Sequence, residues 1–88
     1  MNVYVYQAVY GEGNEFEQDV HVELFHDEEK ALKELEKDYK NVFNEFVENG
    51  GYDTDDLDTD RSVKNTITLS ADNHSDWWEG KVFEMKVK

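Results

Sequence analysis

The chain contains no cysteine and no proline, and only 9 of its 88 residues are lysine or arginine. Without cysteine, disulfides, a thiol nucleophile and thiolate metal ligands are excluded. So few bases give no positive stripe for a phosphate backbone, and an anionic membrane leaflet would repel the chain. No apolar run approaches the roughly 18 residues of a membrane span, and the N-terminus lacks a signal pattern. The sequence therefore predicts a cytoplasmic protein with no direct nucleic-acid or membrane binding.

Acidic residues dominate what is present: 22 Asp and Glu give a net charge of −13, while 38% of the residues are hydrophobic. High charge with low hydrophobicity is typical of disordered chains. Against that interpretation stand five Phe, five Tyr and two Trp, which recur at regular spacings. We therefore predict one folded domain over residues 1–88, since this length supports a single core.

One helical segment lies between two pairs of alternating segments. Alternation predicts strands over residues 2–10, 16–25, 63–72 and 77–88. Apolar residues at steps of three and four predict a helix over residues 28–48, with Asp27 as its N-cap and glycines after it. Residues 52–61 read as an acidic loop. The predicted fold is α+β, β-β-α-β-β: one four-stranded antiparallel sheet with a single long helix on one face.

The first predicted strand has two apolar faces. Val3, Val5 and Val9 alternate with Tyr4, Tyr6 and Tyr10. Because one helix covers one sheet face, we expect the tyrosines on the open side, either as an interface or as a minor core with the Trp77–Trp78 pair. The adjacent tryptophans should face opposite ways. In the last strand, Phe83, Met85 and Val87 are predicted to point inward.

Charge is segregated along the chain. Residues 1–29 contain eight acids and no base, and residues 41–60 contain seven acids and no base. Solubility alone needs a net charge magnitude of only about 2 to 8 in a small domain. Duplex DNA carries about one negative charge per 1.7 Å of axis, so clustered carboxylates offer a comparable field to a basic groove. The predicted partner-binding residues are Glu12, Glu15, Glu17, Asp19, Glu45, Glu48, Asp53, Asp55, Asp56, Asp58 and Asp60, with Tyr4, Tyr6 and Trp78 as aromatic anchors.

The aspartates of residues 53–60 suggest a different function, a Ca²⁺-binding module, because Ca²⁺ prefers several oxygen ligands. With Asp56 as the first loop position, Arg61 stands where the turn needs glycine and Ile67 where the bidentate glutamate belongs. The spacing of His21, His26 and His74 indicates no metal site. No sequence feature marks an apolar pocket for a catalytic carboxyl. We therefore predict no enzyme activity, no cofactor and no bound metal.

The opening Asn2-Val3-Tyr4-Val5-Tyr6, and Phe25 leading into Asp27-Glu28-Glu29-Lys30-Ala31-Leu32, resemble the layout of small phage and mobile-element proteins. This pattern-level resemblance covers roughly the first 40 residues. Among such proteins, short, cysteine-free, strongly acidic chains look like DNA mimics and anti-CRISPR inhibitors. The resemblance implies an inhibitor that occupies the basic nucleic-acid channel of a defence nuclease, and it transfers no individual residue role.

The function predicted from the sequence is thus non-enzymatic inhibition of a basic nucleic-acid-binding protein, such as a CRISPR-associated or other defence nuclease. If the chain is phage-encoded, its location would be the host cytoplasm. An immunity protein that neutralises a nuclease toxin uses the same physics. Two further functions fit the residues: the Ca²⁺ module, and an assembly protein that pairs through its tyrosine face. Both a monomer and a homodimer are compatible with the sequence.

Overall fold

A computed structural model describes residues 2–12, 18–71 and 76–86. The elements in chain order are β1 (Asn2–Glu12), β2 (Gln18–Phe25), α1 (Glu28–Glu48), a 3-10 turn (Thr54–Asp56), β3 (Leu57–Asp60), β4 (Thr66–Ala71) and β5 (Asp76–Lys86). The strands form one antiparallel sheet in the order β2-β1-β5-β4-β3. The predicted α+β class, with one antiparallel sheet and one helix, is confirmed.

Within the described residues the sheet has five strands, so the four-stranded prediction is wrong. The additional strand is β3, which lies within the predicted acidic loop. Only Leu57 among its four residues is apolar and buried, so alternation gave almost no signal there. The Tyr39 and Thr59 hydroxyls, 2.8 Å apart, link β3 to the helix. The following strand starts at Thr66 rather than at residue 63, because Val63 to Asn65 belong to the turn and Asn65 has a φ of 58°.

The helix has the predicted bounds. The Asp27 side chain accepts a hydrogen bond from the Glu29 backbone N–H at 2.9 Å, which is N-cap geometry. The helix ends at Glu48, and Gly51 adopts a φ of 72° in the segment that follows. Its apolar stripe lies on the sheet, with Ala31, Leu35 and Phe46 buried.

The tyrosine face of β1 lies under the helix, so the expectation that it is the open face is wrong. Tyr6 is fully buried and its hydroxyl donates a 2.7 Å hydrogen bond to Asp38 of the helix. Strand register explains this placement. Tyr6 stands opposite Val82, and Tyr10 opposite Trp78, and both β5 residues belong to the buried core. Directly opposed residues share a sheet face, so the tyrosines follow them to the helix side.

The open face of the sheet carries exposed aliphatic and aromatic side chains. Phe83 and Met85 are 40% and 44% exposed, so their predicted inward orientation is wrong, and Val87 lies outside the described residues. The apolar pattern of β5 changes face along the strand: Trp78 and Val82 pack under the helix, whereas Phe83 and Met85 stand opposite Val5 and Val3. The part of the open face that runs from β2 to the end of β5 therefore presents exposed apolar side chains to solvent.

Candidate functional site

Six carboxylates gather at one end of the molecule, here called the acidic end. The last turn of the helix, the segment after it and the first residue of β5 all meet there. The set consists of Glu45, Glu48, Asp53, Asp55, Asp56 and Asp76. Two of the predicted acids, Glu12 and Asp19, have their backbones at this same end, paired with Asp76 and Tyr10 respectively. Sheet pairing thus brings together parts of both acid-only segments of the sequence.

Local hydrogen bonds hold the acidic end in place. The Tyr52 hydroxyl donates to Asp76 at 2.5 Å, joining the segment after the helix to β5. The Asp53 backbone N–H donates to the Asp56 carboxylate at 3.2 Å, and the Asp56 N–H donates to the Asp53 carbonyl at 2.9 Å. The Tyr52 ring packs against Phe46 with a centroid distance of 6.1 Å. The carboxylates are therefore attached to an ordered scaffold.

The helix terminus makes this charge arrangement unfavourable for stability. The C-terminal end of a helix carries a partial negative charge, which favours lysine or arginine in the last turn. The last turn of α1 contains no base, and Glu45 and Glu48 lie there instead. A small cavity of about 140 Å³ is lined by Glu45, Asp76, Tyr10 and Tyr52 at this point. Glu45 and Glu48 thus lie where the partial negative charge of the helix end repels them. This placement favours a role in binding rather than in folding.

The remaining predicted acids do not lie at the acidic end as the structure describes it. Asp58 and Asp60 stand on the open face of β3, opposite Ser70 and Thr68. The Ser62 backbone N–H donates to Asp60 at 2.8 Å, and hydrogen bonds from Ser62 lower the pKa of this carboxyl. Glu15 and Glu17 lie outside the described residues. Neither Asp58 nor Asp60 belongs to the acidic end.

Two of the three predicted aromatic anchors, Tyr6 and Trp78, are buried. Tyr6 is 0% exposed and Trp78 is 3% exposed, so the packed fold keeps both rings away from a partner. Tyr4 is half-buried on the helix side, and the nearby Glu84 carboxylate raises the pKa of its hydroxyl. The half-buried rings of Tyr10 and Tyr52 do lie at the acidic end. Sequence reasoning missed Tyr52 and Asp76, because only the packing of the helix end onto β5 brings them together.

The ion pairs within the described residues lie away from the acidic end. Arg61 donates to both oxygens of Glu36, at 2.6 and 3.2 Å, and packs over the Tyr39 ring. This hydrogen-bonded pair lowers the pKa of Glu36 and raises that of Arg61. The second pair is His21 with Glu23 at 3.4 Å. The helix centre is thus an ordinary mixed-charge surface, unlike the acidic end.

The Ca²⁺ hypothesis gains no support from the geometry. The predicted loop is divided between the 3-10 turn, which contains Asp55 and Asp56, and strand β3, which carries Asp58 and Asp60. Across residues 2–12, 18–71 and 76–86, no group of three or more His, Asp or Glu side chains is arranged to hold a metal ion. Asp53 and Asp56 instead stabilise their own turn.

We expect the helix-end glutamates to reduce stability. Replacing Glu45 and Glu48 together by lysine should raise the free energy of unfolding by about 1 kcal/mol, since each charge at a helix end contributes about 0.3–1 kcal/mol. The matched control replaces Glu28 and Glu29, in the first turn, by lysine and should lower stability by a similar amount. Urea unfolding at low salt measures both. A stability loss in both variants would contradict an unfavourable charge arrangement at the helix end.

No family model, curated protein or solved structure matches this chain. Within the part of the chain that the structure describes, no helix combines the length and apolar character needed to cross a membrane. The function is therefore inferred from the chain's own residues.

Proposed function

We propose that the protein is a non-enzymatic inhibitor whose acidic end binds the basic groove of a nucleic-acid-binding protein, such as a defence nuclease of the CRISPR-associated or toxin type. One observation supports this proposal most directly. The acidic end combines two carboxylates of the helix C-terminus with four from the segment after it and from β5, and no lysine or arginine of the described residues pairs with them.

The physical basis is an ordered anionic surface that competes with a polyphosphate. A basic groove is adapted to about one negative charge per 1.7 Å of duplex. Carboxylates on a capped turn and on the last helical turn present clustered negative charge without the cost of ordering a flexible tail. Such a surface speeds association electrostatically. The exposed parts of the Tyr10 and Tyr52 rings supply nonpolar contact beside the charges.

The test compares two variants of equal charge. The first replaces Glu48 and Asp55 by lysine, at the acidic end. The control replaces Glu28 and Glu84 by lysine, near Tyr4 at the other end of the molecule. All four side chains are exposed. Immobilised wild-type protein and both variants are incubated with host lysate, and bound proteins are eluted with salt or with duplex DNA.

We expect wild type and control to retain a cationic nucleic-acid-binding protein that duplex DNA displaces. The Glu48 and Asp55 variant should retain it about tenfold less well, because two charge contacts become repulsive. Equal loss from both variants would show that net charge alone drives capture and would contradict a localised site. Recovery of no cationic protein with the wild type would contradict the proposal itself.

A further inference from the structure

Strand β2 forms an edge of the sheet and lacks two of the usual protections of such an edge, lysine and proline. It pairs with β1 on one side, and no strand of the described residues pairs with its other side. The residues Gln18–Phe25 include no lysine and no proline, the two residue types that most often block such edges. Both edge strands carry two acids, but the opposite edge strand, β3, is only four residues long whereas β2 has eight residues. Of these two edges, β2 therefore offers the longer row of backbone donors and acceptors.

The same strand carries the most exposed aliphatic side chains of the sheet. Val20, Val22 and Leu24 are 56%, 55% and 61% exposed, and all three lie on the open face. The apolar surface continues inward to Phe83 and Met85. Exposed aliphatics beside an unprotected edge form a surface adapted for addition of another strand.

We propose that β2 pairs antiparallel with β2 of a second copy of this chain, about a two-fold axis at Val22. This register places Val22 opposite Val22 of the second copy and Val20 opposite Leu24 in both directions. Six aliphatic side chains then meet along the join on the open face. The arrangement is isologous, so it closes as a dimer with a continuous ten-stranded sheet.

The order of side chains in β2 favours a second copy of this chain as the pairing partner. Antiparallel pairing about Val22 places His21 opposite Glu23 of the second copy, and Glu23 opposite His21. Both side chains lie on the helix side of the edge strand, next to the join, and they contact each other at 3.4 Å within one chain. A histidine opposite a glutamate is a favourable cross-strand pair, whereas shifting the register by two residues loses it. The sequence Val-His-Val-Glu-Leu is thus complementary to itself when reversed.

The dimer also keeps the acidic ends apart. β2 starts at the acidic end, where Asp19 stands opposite Tyr10, and finishes beside Tyr4. Antiparallel pairing therefore places the two acidic ends at opposite ends of the joined sheet, which limits repulsion between two strongly negative chains. Dimerisation leaves the acidic end of each copy uncovered, and the proposal does not depend on the function proposed above.

Sedimentation equilibrium tests the dimer over about 1 to 500 µM protein, since self-association depends on concentration. Wild type should approach twice the 10.4 kDa of the single chain. Val22→Lys places two lysines on the symmetry axis and should weaken dimerisation about tenfold or more. Val63→Lys is the matched control, because Val63 is 63% exposed and lies in the turn before β4. It should dimerise like the wild type.

A charge swap distinguishes this register from other modes of association. His21→Glu alone should weaken the dimer about tenfold, because each new glutamate faces Glu23 of the other copy. Adding Glu23→His restores both His–Glu pairs with an unchanged composition and should return the dissociation constant to near the wild-type value. A wild type that stays at 10.4 kDa throughout would overturn the proposal. So would Val22→Lys dimerising as tightly as Val63→Lys, or a swap that restores nothing.

Discussion

Gly80→Ala is expected to lower the free energy of unfolding by about 1–3 kcal/mol, the usual cost of overpacking a filled core. In a domain of this size that corresponds to a fall in melting temperature of roughly 10 °C. Gly80 lies in β5 under the helix. A Cβ atom there would come 2.5 Å from Trp78 Cη2 and 2.7 Å from Leu35 Cδ1. Both neighbours are buried, so neither can move aside freely.

The cost should depend on the tryptophan ring. Phenylalanine at position 78 is smaller than tryptophan, so Gly80→Ala should cost less in a Trp78→Phe background. The double mutant should therefore lose about 0.5–3 kcal/mol less stability than the sum of the two single losses, as for other residues in contact. Urea unfolding of the four proteins measures this coupling. Additive effects would contradict the close contact between Gly80 and the ring as the reason for glycine at this position.

The helix could be predicted from the sequence almost to the residue, because its signals are local. Asp27 caps it, the apolar stripe recurs at helical spacing, and glycines follow it. Strand β3 could not be predicted in the same way. Its evidence is tertiary: Leu57 is buried only against the rest of the core, and the Thr59 hydroxyl contacts Tyr39 of the helix. Neither interaction can be recognised from the local sequence.

The choice of buried face on β1 also lay beyond the sequence. Both faces are apolar, and alternation cannot distinguish them. Only the register with β5 places Tyr6 beside Val82 on the helix side. An error in this register has a large effect, because shifting the strand pairing by one residue moves every side chain of the strand to the other face of the sheet. The same ambiguity made Phe83 and Met85 resemble core residues.

Part of the candidate site could be predicted from charge counts. Glu45, Glu48 and Asp53 to Asp56 lie where the base-free segment suggested, whereas Asp76 joins them only through sheet pairing and Tyr52. Two features of the folded chain are unfavourable for its stability or solubility: acids at a helix C-terminus and exposed aliphatic side chains on an edge strand. Local rules of this kind are most often broken at functional surfaces. The acidic end and β2 are therefore the two regions where we place binding.

Tyr6→Phe is expected to lower the free energy of unfolding by an amount near the lower end of about 1.5–3 kcal/mol. This is the range for the contribution of hydrogen bonds to charged groups. The substitution removes the donor of the 2.7 Å bond to Asp38 and keeps the buried ring. Asp38 is half-exposed, so water can hydrate its freed carboxylate. Tyr39→Phe is the control, since its hydroxyl bond to Thr59 is exposed and should contribute at most about 1 kcal/mol.

The same variant should change how stability depends on alkaline pH. Burial, followed by the hydrogen bond to Asp38, raises the pKa of Tyr6 far above its ordinary value of 10.0. The stability from its neutral hydroxyl is therefore fully present below about pH 10 and is lost as the pH rises beyond it, because the unfolded chain ionises first. Tyr6→Phe should lose less stability than the wild type between about pH 8 and 11. Part of the dependence should persist, because Glu84 raises the pKa of Tyr4 in the same direction. Equal alkaline losses in the two proteins, measured by urea unfolding, would show that Tyr6 ionises as readily in the folded protein as in the unfolded chain.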